Sequence, residues 1–151
     1  MNDHTGADRS HIVGEVTRLV PPRHCDAQAM MHASRPADYF EDAFLAWLDA
    51  ACAGYGSLRA AGVDLVIAES SVRYLGAVRL GDEVTASAVA TERGRTSLRI
   101  KFELISDGDI LVSATTTYVC VGESGPVDIP DVLAPAVPAV PSHTTPPSGR
   151  Q

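Results

Sequence analysis

The fold is decided by residues 36–54, which read PADYFEDAFLAWLDAACAG. Pro36 suits the first turn of a helix, because its fixed φ is helical and its missing N–H would have no partner there. Ser34 is the side chain best placed to cap that turn. Apolar residues then recur at the spacing of one helical face, namely Phe40, Phe44, Trp47, Leu48, Ala51 and Tyr55. The pattern predicts a mostly buried helix of about 18 residues that ends at Gly54 or Gly56.

After this helix, apolar residues recur every second position and no longer about every 3.6 residues. A period of two is typical of β-strands. Polar and apolar residues alternate almost perfectly over residues 96–104 (TSLRIKFEL), so one face of that strand should be exposed to solvent. Glycine-containing turn signals separate the predicted strands, which are Ile12–Val20, Asp64–Leu75, Glu83–Glu92, Thr96–Ser106 and Ile110–Val121. We therefore predict an α+β fold in which an antiparallel curved sheet wraps around one long central helix.

The end of the chain differs in composition from the rest. Residues 126–151 hold seven of the ten prolines and carry no periodic apolar face, which is typical of a flexible tail. A length of 151 residues fits one domain. We predict a disordered N-terminus over residues 1–11, one folded domain over 12–122 and a Pro-rich disordered tail over 123–151.

Composition and charge exclude several classes of partner. The net charge of −7 argues against a nucleic-acid partner. No apolar run approaches the roughly 20 residues that cross a bilayer. Residues 1–10 lack the apolar centre of a signal peptide, so we expect a cytoplasmic protein with no membrane partner. The three cysteines, Cys25, Cys52 and Cys120, are widely spaced and form no zinc-type cluster, so we expect no metal and no bound cofactor.

The segment with the residues for chemistry lies between the first strand and the helix. Residues 23–36 read RHCDAQAMMHASRP, with one acid, Asp26, in a partly apolar loop just before the helix N-terminus. A carboxylate there can act as a nucleophile or activate water. Free amides at a helix N-terminus can hold a developing oxyanion. The alternative is that Asp26 only stabilises a turn, as loop aspartates commonly do.

A resemblance to a known family favours the chemical interpretation. Cys25-Asp26 followed by Tyr39-Phe40-Glu41-Asp42-Ala43 resembles the start of hotdog thioesterases of the 4-hydroxybenzoyl-CoA thioesterase type, which carry a loop aspartate and then an aromatic-acid-x-Ala pattern in the central helix. Residues 72–84 (VRYLGAVRLGDEV) are similar to that family's second-strand segment and its Gly-Asp turn. The likeness covers about residues 12–122. One departure is Ala27-Gln28-Ala29, where the family often has glycine.

The resemblance implies a hotdog fold and specific roles for residues of the loop. Asp26 would attack the thioester carbonyl or activate water, and a backbone N–H at Ala33 or its neighbours would hold the thioester oxygen. Among the other residues, His32 could polarise the carbonyl or hold a water, and an ordinary loop histidine is an equal alternative. Glu69 interrupts an apolar strand and is our candidate for a second carboxylate in the cleft. The candidates for binding coenzyme A phosphates are Arg73, Arg79 and Arg95.

Three functions remain open at this point. The first is hydrolysis of acyl-CoA or acyl-carrier-protein thioesters, in which coenzyme A enters only as part of the substrate. The second is a non-catalytic module that binds acyl thioesters. The third is a hotdog hydratase or dehydratase, although Asp26 and His32 lack the Asn-Pro between them that such enzymes often carry. The resemblance implies a homodimer, or a tetramer built from dimers, in which sheets pair edge to edge and the active site lies at the subunit interface. An exposed sheet edge makes such pairing physically reasonable.

Overall fold

The computed structural model describes residues 11–139 and places one long helix against one antiparallel sheet. Residues 1–10 and 140–151 lie outside the described residues, and so do most of the predicted disordered N-terminus and the last part of the predicted tail. Short 3₁₀ turns occupy Pro22–His24 and Ala134–Ala136. In chain order, the helices and strands are β1 (Val13–Leu19), α1 (Pro36–Cys52), α2 (Tyr55–Ala60), β2 (Asp64–Tyr74), β3 (Glu83–Arg93), β4 (Ser97–Ser106), β5 (Asp109–Gly122) and β6 (Gly125–Pro126).

Helix α1 has the predicted start and apolar face, but its two ends differ in detail from the prediction. Arg35 is the N-cap residue, and no side chain caps the helix. The predicted cap, Ser34, instead bonds the ring of His32. At the other end Ala53 adopts the left-handed conformation, with φ of 63°, that we expected of a glycine. Helix α1 therefore ends at Cys52, two residues before the earlier of the two predicted stops, Gly54.

The sheet has the strand order β1-β3-β4-β5-β2, and all neighbouring strands are antiparallel. The short strand β6 pairs antiparallel with the end of β5. Its inner face packs on α1. Phe44 stacks on Tyr118 with ring centroids 4.1 Å apart, and Phe40 stacks on Phe102 at 5.0 Å. The alternation predicted for residues 96–104 is confirmed, because Leu98, Ile100, Phe102 and Leu104 are buried while Arg99 and Lys101 are exposed. This is the architecture that the resemblance implies.

Strand β1 approaches α1 closely at Gly14. A Cβ atom at this position would lie 2.4 Å from the backbone oxygen of Ala43 and 2.4 Å from the backbone nitrogen of Trp47. Both atoms belong to helix backbone and cannot rotate away. Glycine at this position therefore sets the distance between the helix and the edge of the sheet.

The predicted tail from residue 123 begins too early. Backbone bonds tie the segment to strand ends, since Val127 N–H donates to Cys120 O at 2.9 Å and Ile129 N–H donates to Arg95 O at 3.0 Å. The Arg93 guanidinium also bonds the carbonyl of Ala134 at 2.6 Å. The apolar side chains of Leu133, Ala136 and Val137 are buried. The prolines in this stretch interrupt any regular spacing of apolar residues. Its packing depends on tertiary contacts, which a search for periodic patterns in the sequence cannot detect.

Candidate active site

A mostly apolar groove runs along the N-terminus of α1 and consists of two adjoining compartments. The first has a volume of about 320 Å³ and lies beside the loop over residues 30–33 and the segment over residues 74–78. The second has a volume of about 260 Å³ and lies between the first half of α1 and the inner face of β2, β4 and β5. The residues that border both compartments are Ala33, Pro36 and Tyr74. The predicted oxyanion residue, Ala33, therefore lies where the two compartments meet.

Asp26 begins a tight turn that leads to this groove. Its Oδ1 accepts the backbone N–H of Gln28 at 2.8 Å and that of Met30 at 3.2 Å. Its own N–H donates to Met30 O at 2.8 Å, and Ala29 adopts a left-handed φ of 61° in place of a family-like glycine. The side chain is exposed and does not border either compartment within this chain. Asp26 thus has a turn-stabilising role through one oxygen, while Oδ2 has no hydrogen-bond partner among residues 11–139.

Two backbone hydrogen bonds and a side-chain contact hold the loop that carries Asp26 and His32. Met31 N–H donates to Val78 O at 2.8 Å, and His32 N–H donates to His24 O at 2.9 Å. His24 is itself buried and its Nδ1 lies 2.7 Å from the Tyr39 hydroxyl on α1. Burial, and to a lesser degree the positive charge of Arg18, lowers the pKa of His24. A neutral His24 therefore fixes the base of the loop to the helix.

The contacts of His32 define its tautomer. Its Nδ1 accepts the backbone N–H of Ser34 at 3.2 Å and lies 2.9 Å from the Ser34 hydroxyl. An N–H group can only donate, so Nδ1 carries no proton and the neutral ring has its proton on Nε2. His32 borders the first compartment, which makes Nε2–H a candidate donor toward a ligand there. No hydrogen bond or ion pair joins His32 to Asp26 within the described part of the chain.

Ala33 lies three residues before the start of α1, and its two backbone polar groups differ in their contacts. Its carbonyl accepts a hydrogen bond of 2.7 Å from the Tyr74 hydroxyl. Ala33 is exposed, and its N–H has no acceptor within residues 11–139, so this group is open to solvent or to a ligand. An amide without an acceptor, at the edge of an apolar groove, is a suitable donor for an oxygen atom of a ligand.

Glu69 lies on the opposite face of the sheet from the groove, so its predicted place in the cleft is wrong for this chain. It pairs with Thr117, whereas Ser70 pairs with the buried Thr116 on the face toward α1. Successive side chains of a strand point to opposite faces, so Ser70 borders the groove and Glu69 faces outward. Ser70 and Thr116 bond each other through their hydroxyls at 3.0 Å.

The three predicted arginines lie in three different places. Arg73 pairs with Ser113 and points to the outer face of the edge strand. Arg79 forms a backbone β-bridge with Met30, which borders the first compartment. Arg95 forms an ion pair of 2.6 Å with Asp128 at the far end of the sheet. Arg95 borders neither compartment and Arg73 faces outward, so of the three Arg79 is the one beside the predicted loop.

Two residues of the groove were missed from the sequence. Tyr74, within a predicted strand, and Glu41, within the predicted helix, are not among the predicted site residues, but both border the second compartment. Tyr118 borders it as well, and burial, with a smaller contribution from the negative charge of Glu41, raises the pKa of the tyrosine. The alternation of β2 could have indicated Tyr74, whereas the position of Glu41 depends on how α1 lies across the sheet. Glu41 is the one carboxylate that borders the groove among the described residues.

The described residues contain no group of three His, Cys, Asp or Glu side chains that could hold a metal ion. Over residues 11–139, no helix has both the length and the apolar character needed to cross a membrane.

One long helix inside a curved antiparallel sheet, with a groove at the helix N-terminus, defines a hotdog-fold domain. The family model of the thioesterase-like superfamily matches residues 20–137, and the chain belongs to that superfamily. The matched region includes the packed segment after residue 122, in agreement with the later domain end described above. No curated protein matches the chain significantly in sequence.

Solved structures show the same fold at low identity. The 1,4-dihydroxy-2-naphthoyl-CoA thioesterase Slr0204 from Synechocystis has a TM-score of 0.74 and 16% identity, over 83% of this chain and 95% of that one. The hypothetical protein TT1821 from Thermus thermophilus has a TM-score of 0.75 and 22% identity, over 82% and 96%. A DHNA-CoA thioesterase from Staphylococcus aureus has a TM-score of 0.69 and 16% identity, over 78% and 79%. At these identities the likeness establishes the hotdog fold alone.

Proposed function

We propose that the protein hydrolyses acyl thioesters of coenzyme A or acyl carrier protein in the groove at the N-terminus of α1. The observation that carries this proposal is the Ala33 N–H, which has no acceptor among residues 11–139 and lies where the two compartments meet. Such a donor can hold the oxygen of a tetrahedral intermediate. Membership of the thioesterase-like superfamily supports this chemistry over other uses of the fold.

The proposed mechanism assigns three groups to the reaction. The Ala33 N–H and the Nε2–H of His32 donate to the thioester oxygen as negative charge develops on it. Asp26 acts through Oδ2, either as the nucleophile that attacks the carbonyl carbon or as the base that takes a proton from the attacking water. On the base route, water adds to the carbonyl carbon, the C–S bond breaks and the departing sulfur takes up a proton, which yields a carboxylic acid and a free thiol. On the nucleophilic route, the C–S bond breaks as Asp26 forms an acyl anhydride, the departing sulfur takes up a proton from solvent, and water then hydrolyses the anhydride to the carboxylic acid and free Asp26.

We also propose that the functional unit is a dimer that pairs through β2. This strand is an edge of the sheet, and almost all of it is exposed. An uncovered edge strand with apolar side chains on it is a ready site for pairing with a second chain. The exposed apolar residues of β2 and the residue after it are Val66, Ile67, Val72, Tyr74 and Leu75. Because β2 borders the groove, the partner subunit would complete its wall and bring Asp26 to an enclosed site.

The second candidate function is a binding module without catalysis. The commitment of Asp26 Oδ1 to two turn amides favours it, because that turn would be stable with no chemistry to perform. A non-catalytic module would keep the groove and the ligand but would release no thiol.

Release of free thiol from a panel of acyl-CoAs, followed with DTNB, separates these functions. The panel holds acetyl, octanoyl, palmitoyl and benzoyl thioesters, and a blank without substrate corrects for the half-buried Cys25. We expect release from at least one acyl-CoA or from the matching acyl carrier protein. Binding of the same thioesters without release would instead support the binding module.

Arg79 should contribute to the affinity for coenzyme A. Since a hydrogen bond to a charged group contributes about 1.5–3 kcal/mol, Arg79→Ala is expected to raise the KM for acyl-CoA about tenfold with little change in kcat. Arg95→Ala is the matched control and should leave KM unchanged, because its guanidinium is paired with Asp128. Steady-state kinetics of both variants tests the assignment, and an equal effect of the two changes would contradict it.

The β2 interface predicts the effect of a charge on the sheet edge. Ile67→Lys should convert the dimer to a monomer without unfolding it, because Ile67 is already 59% exposed in the single chain. Leu19→Lys is the matched control, since Leu19 is 63% exposed on the opposite edge strand β1. Size-exclusion chromatography with light scattering gives the masses. A wild type that is a monomer, or an Ile67→Lys variant that remains a dimer, would contradict the interface.

A further inference from the structure

Tyr74 lies at the boundary between the two compartments of the groove. Its ring borders both of them, together with Ala33 and Pro36. Its hydroxyl donates to the carbonyl of Ala33 at 2.7 Å, so the side chain bridges from β2 to the loop ahead of α1. The ring therefore narrows the passage beside the residue that should hold the thioester oxygen.

The same hydrogen bond acts on the peptide that follows the proposed oxyanion donor. The carbonyl end of the Ala33–Ser34 peptide is held by Tyr74, and its N–H end is held by Nδ1 of His32. With both ends of this peptide bonded, rotation about the backbone of Ala33 is restricted. Tyr74 thus restrains the direction of the Ala33 N–H without contacting it.

The two compartments differ in their surroundings. The first borders the loop on which Arg79 lies, and the second borders the acidic side chain of Glu41. The phosphates of coenzyme A carry negative charge and would be attracted to Arg79 and repelled by Glu41. With the thioester at Ala33, this charge difference places the coenzyme A arm in the first compartment and the acyl group, beyond Tyr74, in the second.

We propose that Tyr74 is both a positioning residue and a specificity-determining residue, an inference that rests on the proposed thioester hydrolysis. Its hydroxyl positions the Ala33 peptide for the reaction. Its ring is a wall that confines the acyl group to the second compartment, which has a volume of about 260 Å³. Acyl groups too large for that compartment are rejected, because the ring at the boundary keeps them from folding back into the first compartment.

Two substitutions separate the two roles. Tyr74→Phe keeps the ring and removes the hydroxyl, so kcat should fall about fivefold, as expected for the loss of one neutral hydrogen bond, with the preference among acyl lengths unchanged. Tyr74→Ala also removes the wall, so the ratio of kcat/KM for palmitoyl-CoA to that for octanoyl-CoA should rise at least about tenfold. Val72→Phe, which adds bulk to the second compartment alone, should shift the same ratio in the opposite direction.

The outcomes distinguish failure of this inference from failure of the proposed function. An unchanged kcat in Tyr74→Phe overturns the positioning role, and an unchanged length ratio in Tyr74→Ala overturns the wall. If the wild type releases no thiol from any substrate, the proposed function fails. The wall is then tested through binding of S-octyl-CoA and S-hexadecyl-CoA by titration calorimetry, in which Tyr74→Ala should gain at least about tenfold in relative affinity for the longer chain. Thermal unfolding of each variant confirms that it is folded.

Discussion

Asp26→Asn is expected to lower the rate of thiol release by a factor of about 10²–10⁴, the usual contribution of a general base. The amide cannot accept a proton from water and is a poor nucleophile. The turn should survive, because the Asn carbonyl oxygen can accept the same two N–H groups, those of Gln28 and Met30, that Oδ1 accepts in the wild type. Steady-state kinetics with the best acyl-CoA of the panel measures the effect, and circular dichroism shows whether the fold is kept.

Glu41→Gln is the matched variant for this experiment. It removes one negative charge from the carboxylate that borders the groove and changes no atom of the turn. We expect the rate of thiol release to fall by less than about fivefold. Glu41 contributes a negative charge near the second compartment but does not act as the catalytic base. A large loss in Glu41→Gln with a normal rate in Asp26→Asn would transfer the catalytic role to the helix carboxylate and contradict our mechanism.

Gly14→Ala should produce the largest loss of stability. The new methyl group would lie 2.4 Å from backbone atoms of Ala43 and Trp47, so either β1 or α1 must move. Overpacking of this kind costs typically about 1–3 kcal/mol, and contact with backbone on both sides places Gly14→Ala at the upper end. Denaturant unfolding followed by the fluorescence of the buried Trp47 measures the free energy of unfolding.

The same chemical change at Gly56 is the control. A Cβ atom there would have no neighbour within 4 Å, and Gly56 lies in the short helix α2. Gly56→Ala should therefore leave stability unchanged or raise it by up to about 1 kcal/mol, because alanine favours the helix. Equal effects of the two substitutions would show that the approach of β1 to α1 is not as close as described.

The helix and the main strands could be predicted because their signals are local. One helical face with Phe44, Trp47 and Leu48, and the alternation over residues 96–104, each require one type of element. The packing of residues 123–139 had no such signal. It depends on backbone bonds to the ends of strands and on three small or branched side chains, which only the assembled sheet brings together.

The error at Glu69 has a specific physical cause. The pairing of β2 with β5 shifts between Ile67 and Glu69, which is a β-bulge. A bulge adds one residue and reverses which side chains share a face. Ile67 and Ser70 consequently border the groove together, while strict alternation would have placed Glu69 beside Ile67. The sequence carries no glycine or proline at that point to indicate the bulge.

The loop residues of the candidate site could be proposed from the sequence. The residues that line the groove from other strands could not. Asp26, His32 and Ala33 lie within eight residues of one another and precede a recognisable helix start. Tyr74 is 41 residues from Ala33, and their hydrogen bond forms only because β2 ends beside that loop. Contacts of this separation come from the topology of the sheet and not from any local pattern.

The most direct test of thioester binding at Ala33 is an NMR titration of the ¹⁵N-labelled protein with S-octyl-CoA, a thioether that cannot be hydrolysed. We expect the amide signals of His32, Ala33 and Ser34 to show the largest shifts, while those around Arg95, which borders neither compartment, stay in place. Saturable binding that moves the signals around Arg95 and leaves the Ala33 amide unchanged would contradict it.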